Sequence, residues 1–383
     1  MSCLEEVTVR DFRNLAHLTL EVPRAGLVVI GDNGHGKTNL LEAIAYLHAL
    51  RSVRGARDAD LVRFGEGAFH IAARCAEAPC SEVRVGFERA TRRKRVTLDG
   101  APTSRLTDGL GALPSVTIAP RDVELVLGAP SVRRRYLDVL LALSSRRYLG
   151  ALQNYRAALQ RRNATIRNAT ARRDSAEFDA QVAAWEGPLA THGAVLAFAR
   201  KSWVEAVASR YAALCASLGE RSVAGLRYRV SVESSLGHAT SEEALEAELR
   251  SALAAHRAID CRRGATMVGP HRDDLDLRLG GRLLRTFGSA GQQRSAAMAL
   301  RVLEAESLER QTGYRPVLLL DDPFAELDRD RARRVLDLLE GHVATQVILA
   351  VPRADDVPGA FTGLSRVSMQ DGVVCAWTGA LDA

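Results

Sequence analysis

The sequence Gly31-Asp32-Asn33-Gly34-His35-Gly36-Lys37-Thr38 matches the pattern G-x-x-x-x-G-K-T of phosphate-binding loops at every fixed position. Residues 27–30 before it predict a buried strand, and residues 39–50 after it carry apolar residues at helical spacing. In this context backbone N–H groups converge on phosphate oxygens at a helix N-terminus. We therefore predict a nucleoside triphosphate site with bound Mg²⁺. Its predicted nucleotide contacts are Gly31, Asp32, Asn33, Gly34, His35, Gly36, Lys37, Thr38 and Asn39, with His35 at a variable, solvent-facing position.

A second motif of the same chemistry lies near the C-terminal end. The apolar residues 317–320 are followed directly by Asp321 and Asp322, which predicts a buried strand ending in two carboxylates. In a parallel sheet this strand end lies beside the phosphate loop, where Asp321 can hold Mg²⁺ through water and Thr38 can ligate it. Asp322 is then placed to orient or deprotonate the attacking water, with Lys37 as the second catalytic residue. A core strand that ends in solvated acids is the alternative, which the glycine loop disfavours.

A third motif separates the classes of phosphate-loop proteins. Residues 288–294, Gly-Ser-Ala-Gly-Gln-Gln-Arg, precede a helical pattern over residues 295–308. They resemble the Ser-Gly-Gly-Gln signature loop of ABC-type ATPases, with alanine at the first glycine. In that arrangement the loop completes the nucleotide site of a second subunit, so the resemblance implies a homodimer that forms on ATP. We expect Ser289, Gly291 and Gln292 to contact the partner's nucleotide.

The strand and helix patterns divide the chain into three stretches. Residues 1–120 carry β-branched or alternating segments around one helix, and such segments return from residue 264. Residues 121–263 are rich in Ala, Leu and Arg, with apolar residues at helical steps along one seam. We predict an α/β ABC/SMC-like ATPase head built from 1–120 and 264–383, with 121–263 inserted as a mostly helical arm. Asp371-Gly372 predicts a hairpin turn.

The predicted arm is strongly basic. Between Arg121 and Arg173 it holds twelve arginines against three carboxylates, a net charge of +9. A basic face of that density can follow a phosphate backbone, and few aromatic residues are interleaved for base stacking. We expect DNA binding that is electrostatic and nearly independent of base sequence, with Arg133, Arg134 and Arg135 as contacts. A solvated helix surface is the alternative interpretation.

The composition argues against several classes of protein. The 383 residues are 47% hydrophobic and 26% charged, which is ordinary for a globular protein. No apolar run approaches the ~18–20 residues of a membrane span, and the N-terminal residues lack the regions of a signal peptide. The six cysteines include no C-x-x-C pair, which favours reduced thiols. We expect a cytoplasmic protein with no membrane partner, and the net charge of +6 favours an anionic one.

Together these motifs resemble those of the RecF family of SMC/ABC-like ATPases over the whole length of the chain. The motifs that carry the resemblance are, in sequence order, Asp11-Phe12-Arg13-Asn14-Leu15, residues 31–39, Leu50-Arg51-Ser52, Ala119-Pro120-Arg121-Asp122, residues 133–138, Gly269-Pro270-His271-Arg272-Asp273-Asp274, residues 289–294 and residues 320–328. The blocks at 269–274 and 289–294 are the most specific. Residues 325–328 resemble the D-loop of the superfamily.

The resemblance implies a protein of DNA replication and repair that acts in the SOS response to DNA damage. It implies a slow, DNA-dependent ATPase that binds single- and double-stranded DNA, at gaps or junctions, as an ATP-dependent homodimer. By the same resemblance its partners are RecO and RecR, and it promotes loading of RecA at gaps covered by single-strand-binding protein. The resemblance also implies that Arg13 lies near the nucleotide.

Two features depart from relatives in this superfamily. SMC proteins carry a long coiled coil, whereas here only the predicted arm separates the halves of the head. ABC transporters place a switch histidine after the strand that follows the acidic pair. In this chain residues 347–351 lead into Pro352, and His342 precedes them, so no switch residue is assigned. His271 invites a metal or nuclease interpretation, but no second ligand cluster lies nearby and a structural role is favoured.

Three other functions compete with a repair ATPase. An SMC-like structural DNA clamp without a mediator role is the runner-up, and the lack of a hinge argues against it. A transporter ATPase subunit would need a membrane partner and a shorter gap than the one between Thr38 and Ser289. A small-molecule kinase would need no signature loop.

Overall fold

The computed structural model describes residues 3–168, 176–231, 241–325, 329–342 and 346–377. The first elements are β1 (Cys3–Phe12), β2 (Leu15–Glu21), β3 (Gly26–Ile30), α1 (Lys37–Ala49), α2 (Asp58–Leu61), β4 (Ala68–Ala76), β5 (Glu82–Glu88), β6 (Arg93–Leu98), β7 (Ala101–Pro102) and β8 (Ser115–Ile118). Next come α3 (Glu124–Leu127), α4 (Pro130–Ser144), α5 (Arg146–Asn168), α6 (Ala176–Ala183), α7 (Glu186–Ser217), β9 (Ala224–Arg229), α8 (Glu242–Arg263), β10 (Asp274–Leu279), β11 (Arg282–Leu283) and α9 (Leu284–Phe287). The last are α10 (Ala290–Thr312), β12 (Val317–Asp321), α11 (Arg329–His342), β13 (Val347–Val351), β14 (Ser365–Gln370) and β15 (Val373–Ala376).

The chain divides into two compact units. The first consists of Met1–Asp122, Ser217–Gly219 and Met298–Ala383, and the second of Val123–Ala216 and Glu220–Ala297. Both chain ends therefore build one unit, which contains the phosphate loop and the acidic pair. The second boundary differs from the one expected from the sequence, because residues 264–297 belong to the second unit. The physical reason is that β10 pairs along its whole length with β9, in register from Asp274 to Leu279.

The first unit contains two six-stranded sheets. One is antiparallel, in the order β2-β1-β4-β5-β6-β7, and the other has the order β15-β14-β3-β13-β12-β8. Strands β14, β3, β13, β12 and β8 run parallel to one another, and the edge strand β15 pairs with β14 antiparallel. The strands predicted at residues 27–30 and 317–320 form β3 and β12, which confirms them as buried parallel strands. The turn at Asp371-Gly372 joins β14 to β15, with φ of 50° and 82°.

Helix α1, which follows the phosphate loop, is part of the core of this unit. It contacts strands of both sheets, and every residue from Leu40 to Ala49 is buried. A helix that is buried around its whole circumference needs mostly apolar or small residues, and among Leu40–Ala49 only Glu42 and His48 are charged or titratable near neutral pH. Consequently its N-terminus, where the phosphate loop ends, is held by the core on all sides. Among the described residues, no helix has both the length and the apolar character to cross a membrane.

The second unit is mostly helical, as predicted for the arm, and contains the small sheet β11-β10-β9. The seam expected in this stretch lies on α5, where Tyr148, Leu152, Tyr155 and Ile166 are buried and the fifth expected residue, Leu159, is half-buried. Charged side chains are also buried inside this unit, and they account for several of the arginines counted in the sequence.

Arg133 is one of these internal arginines. It is only 3% exposed, and its Nε and Nη2 donate to the two carboxylate oxygens of Asp274 at 2.7 and 3.0 Å. Its Nη1 donates to the carbonyl oxygens of Leu125, Val126 and Gly128. The prediction that Arg133 contacts DNA is therefore wrong, because the guanidinium is buried and its hydrogen bonds link α4 to β10.

Two further arginines of the stretch have internal roles. Arg162 is fully buried and donates to Asp260 at 2.6 Å and to the Thr266 hydroxyl at 2.8 Å. Arg134 is half-buried and donates to the carbonyl oxygen of Asp273 at 2.7 Å. The net charge of +9 thus overstates the positive charge that this unit presents to a ligand.

We predict that Arg133→Met lowers the free energy of unfolding by about 3–5 kcal/mol, since it leaves the Asp274 carboxylate buried without its bidentate partner. Arg147→Met is the matched control, because that guanidinium is exposed and its pair with Glu242 is worth less than about 1 kcal/mol. Urea unfolding of both variants measures the difference. Equal losses for the two would contradict the assignment of Arg133 to the core, and adding Asp274→Asn to Arg133→Met should recover part of the stability.

Candidate functional site

The phosphate loop lies between β3 and α1 in the conformation that its glycines permit. Gly36 immediately precedes α1 with φ of 107°, in the left-handed region that favours glycine. A Cβ at this position would lie 2.8 Å from the side-chain oxygen of Asn14, so both space and backbone require glycine here. The Lys37 ammonium donates to the carbonyl oxygens of Gly31 and Asp32 within the loop. Burial lowers the pKa of Lys37, while the carboxylates of Asp321, Asp322 and Asp32 act to raise it.

The acidic strand meets this loop directly. The Thr38 hydroxyl donates to Oδ1 of Asp321 at 3.0 Å, although 283 residues separate them in the chain. Three parallel strands produce this contact, because β13 lies between β3 and β12 and holds both in register. Burial raises the pKa of Asp321, and the Thr38 hydrogen bond and nearby cations act against that rise. The carboxylate thus carries a desolvation cost that a bound cation would offset.

The donor atoms at this point suit a hard divalent cation. A hydroxyl and a carboxylate oxygen lie within hydrogen-bond distance of each other, beside a loop that can bring phosphate oxygens. Mg²⁺ typically takes one or two protein oxygens together with phosphates and water. Thr38 and Asp321 therefore fit the metal ligands expected from the sequence.

The backbone turns away from the direction of β12 at Asp322, directly after Asp321. Its φ is 46°, in the left-handed region, and its N–H donates to the carbonyl oxygen of Ala350 at 2.9 Å. A non-glycine residue in this region carries a backbone cost that its surroundings must offset, as occurs at functional sites. The Asp322 side chain is half-buried.

A hydrogen-bonded layer supports the loop and the start of α1, and it joins the expected residues Asn39 and Arg13 to side chains that the sequence did not assign to the site. Asn39, expected to bind nucleotide, donates to the side-chain oxygen of Asn14 at 2.8 Å and accepts from Arg54 at 3.1 Å. The buried carboxylate of Glu42 accepts from Arg54 and from Arg13, the latter at 3.2 Å from Nε. Arg13 is thus connected to the site through Glu42.

Two cations of this neighbourhood were also missed as site residues. Arg121 and Arg54 lie close enough to Asp321 to lower its pKa, alongside Lys37. Burial in turn lowers the pKa of Arg121. The signal that could have found Arg121 is its place in the Ala-Pro-Arg-Asp block, which follows β8 at the same edge of the parallel sheet.

The expectation that His35 faces solvent is wrong. Its Nδ1 accepts the backbone N–H of Asp371 at 2.9 Å, and its carbonyl oxygen accepts the N–H of Gly372 at 2.9 Å. The side chain is 25% exposed. His35 therefore ties the phosphate loop to the hairpin between β14 and β15.

The signature loop belongs to the second unit and opens α10. The Ser289 N–H donates to Oε1 of Gln292 at 2.9 Å, and the Gln292 N–H donates to Oγ of Ser289 at 3.3 Å. This reciprocal pair is a capping box, which fixes the loop at the N-terminus of a 23-residue helix. Ser289 is exposed and Gly291 is half-exposed, so both remain accessible. The helix begins five residues earlier than the predicted pattern at Ser295.

Other motif residues have structural partners or lie outside the described part. His271 Nδ1 is 2.6 Å from the Tyr155 hydroxyl and its Nε2 is 3.0 Å from the carbonyl oxygen of Thr266, and burial lowers its pKa to about 4. The His271 imidazole is thus neutral and has a hydrogen-bond partner at each ring nitrogen, which fits the structural role favoured from the sequence. Glu326, Leu327 and Asp328 of the expected D-loop lie outside the described residues.

Comparison with known proteins places these features in a family. Residues 3–375 match the family described as RecF/RecN/SMC N terminal domain. The chain is 39% identical over 377 residues to the DNA replication and repair protein RecF of Frankia alni, covering 95% of this chain and 97% of that one. It is 36% identical to RecF of Geobacter sulfurreducens over 88% and 90% of the two chains.

Solved structures give the same result. The structure of the recombination mediator protein RecF–ATP in the RecFOR pathway superposes with a TM-score of 0.88 at 28% identity, covering 98% of each chain. An Smc head domain from Pyrococcus furiosus superposes with a TM-score of 0.54 at 18% identity, over 98% of this chain and 95% of that one. The latter likeness concerns the fold alone.

Proposed function

The chain belongs to the RecF family of SMC/ABC-like ATPases, and from that premise we propose that it is an ATP-dependent DNA-binding protein of recombinational repair and replication restart. The observation that carries the proposal is the hydrogen bond between Thr38 and Asp321, since it joins the phosphate loop to the acidic strand in one site. The names of the relatives, which include a mediator of the RecFOR pathway bound to ATP, support the same function. In this proposal the protein acts in the cytoplasm.

ATP would bind along the loop from Gly31 to Asn39. The backbone N–H groups at the start of α1 would receive phosphate oxygens, and Lys37 would transfer its hydrogen bonds from loop carbonyls to the β- and γ-phosphates. Arg54 and Arg121 add positive charge to the same neighbourhood. Mg²⁺ held by Thr38 and Asp321 would supply neutralisation of phosphate charge.

A second copy of the chain would then complete the nucleotide-binding site. Ser289 and Gly291 form an accessible loop at a helix N-terminus, which is suited to a γ-phosphate contributed by the partner. ATP thus acts as the clamp that holds a homodimer on DNA. Asp322 would orient or deprotonate the attacking water, and slow, DNA-dependent hydrolysis would release the dimer. On DNA gaps the dimer would promote RecA loading together with RecO and RecR.

We expect Ser289→Arg to abolish ATP-dependent dimerisation while nucleotide binding to the monomer changes less than about threefold, since the loop serves the partner's nucleotide. Ser251→Arg makes the same change at an exposed position of α8 and should leave the dimer intact. Light scattering with and without ATP measures the dimer, and a fluorescent nucleotide measures binding. A nucleotide-free dimer that is insensitive to Ser289→Arg would contradict the clamp.

The catalytic assignment predicts opposite effects for two substitutions. Asp322→Asn keeps the size and polarity of the side chain but removes the base, so hydrolysis should fall by at least ~10²-fold while ATP still binds. The dimer should then persist longer on DNA. Lys37→Met should weaken ATP binding and prevent the dimer altogether.

The experiment compares ATP turnover, ATP-dependent dimerisation and DNA dissociation for both variants. Asp179→Asn, at an exposed carboxylate of α6 in the second unit, is the control and should leave all three unchanged. If Asp322→Asn loses the dimer as completely as Lys37→Met does, Asp322 is a binding residue and its catalytic role is wrong.

A further inference from the structure

The antiparallel sheet of the first unit has a solvent-facing trough of about 870 Å³. Along β4 and β5, buried side chains alternate with accessible ones, so one face of the sheet belongs to the core and the other to solvent. The floor of the trough consists of small residues of four adjacent strands, Thr8, Ala72, Gly86 and Thr97. The trough is therefore deepest in the middle and bordered by longer side chains.

The strand register places polar residues in one row across this face. Arg10 pairs with His70, His70 with Gly86, and Gly86 with Arg95. Strands lie ~4.8 Å apart, so the two arginines begin roughly 14 Å from each other on opposite sides of the row. Gly86 leaves room for the imidazole, because a Cβ there would lie 2.9 Å from Nδ1 of His70.

The charges on this face are distributed unevenly. At one end the arginines are neutralised, since Arg74 pairs with Glu6 at 3.4 Å and Arg84 pairs with Glu82 at 2.7 Å.

At the other end, Arg10, Arg93 and Arg95 are exposed. Within the described part of the chain, none of these three has a carboxylate oxygen within 4 Å. Glu88 lies opposite Arg93 in the strand register and lines the same trough, so this end has an excess of two positive charges. An excess of guanidinium groups of this kind attracts anions.

The lining favours a phosphate backbone over a protein segment. None of the large hydrophobic side chains that are exposed in the described residues lines the trough. Protein interfaces depend on buried aromatic or aliphatic anchors, which this surface does not offer. Guanidinium groups, by contrast, bind phosphate oxygens in bidentate geometry without any apolar contact.

We propose that this trough binds the sugar–phosphate backbone of DNA, with Arg10, Arg93 and Arg95 as phosphate contacts. The proposal rests on the proposed function and locates its DNA surface on the antiparallel sheet of the head. These residues take the place of the DNA contacts expected in the arm from the sequence, among which Arg133 is buried. Binding through such contacts is insensitive to base sequence and steeply dependent on salt.

The test is the double variant Arg10→Gln/Arg95→Gln, with Arg262→Gln/Arg263→Gln as the matched control. The control removes the same charge from two exposed arginines at the end of α8. Binding of a labelled duplex to the full-length protein with ATP is measured by anisotropy across a salt series. ATP-dependent dimerisation of each variant verifies that folding and the nucleotide site are intact.

Each phosphate contact contributes a slope of about −0.9 in log K against log salt concentration, so losing two should reduce the slope by about 1.8. The corresponding loss of affinity is roughly 10- to 60-fold at 0.1 M salt, and the control should keep the slope of the unmodified protein. A sheet variant that dimerises and keeps the original slope would overturn the proposal while leaving the proposed function intact. A sheet variant that keeps that slope but loses binding of a polyglutamate peptide would assign the trough to an acidic segment instead. Absence of any ATP-dependent DNA binding by the unmodified protein would refute the proposed function itself.

Discussion

The hydrogen bond between Thr38 and Asp321 depends on a constraint that organises the whole first unit, namely the parallel register of β3, β13 and β12. All three strands are buried on both faces, so their apolar runs fix them in the sheet interior. A slip of one residue would turn Asp321 to the other face and remove it from the loop. The nucleotide site therefore exists only when both ends of the chain have folded into one sheet.

The two units use arginine in opposite ways. In the second unit Arg133 and Arg162 are buried against carboxylates, where desolvation offsets most of the Coulomb gain. Such pairs add little net stability, but they penalise any packing that separates the partners. On the antiparallel sheet of the first unit, Arg10 and Arg95 keep their hydration and remain able to exchange it for phosphate. Net charge from sequence cannot distinguish these two uses, because burial depends on contacts between residues that are 98 and 141 positions apart in the chain.

Most of the fold and about half of the site could be predicted from local sequence patterns. The phosphate loop, the buried strand before Asp321 and the turn at Asp371-Gly372 each follow from the conformational needs of a few adjacent residues. Three kinds of feature did not follow from local pattern. The assignment of residues 264–297 to the second unit depends on pairing between β9 and β10, which both read simply as strands. The roles of Asn14 and Arg121 arise from register between distant segments. The hydrogen bond from the Asp371 backbone to His35 did not follow either, because nothing in the two segments indicates that the phosphate loop lies against the hairpin.

The geometry of the phosphate loop indicates what the binding of a nucleotide would change. Lys37 already donates to the carbonyl oxygens of Gly31 and Asp32, and Thr38 already donates to Asp321. Nucleotide binding therefore exchanges existing hydrogen bonds for new ones, and an exchange of this kind contributes only ~1 kcal/mol per bond. What the nucleotide adds is negative charge near Lys37 and Arg121, whose charged forms are disfavoured by burial, and near Arg54. Relief of that unfavourable electrostatics would favour nucleotide binding, whereas in the absence of nucleotide the hydrogen bonds within the loop already satisfy Lys37 and Thr38.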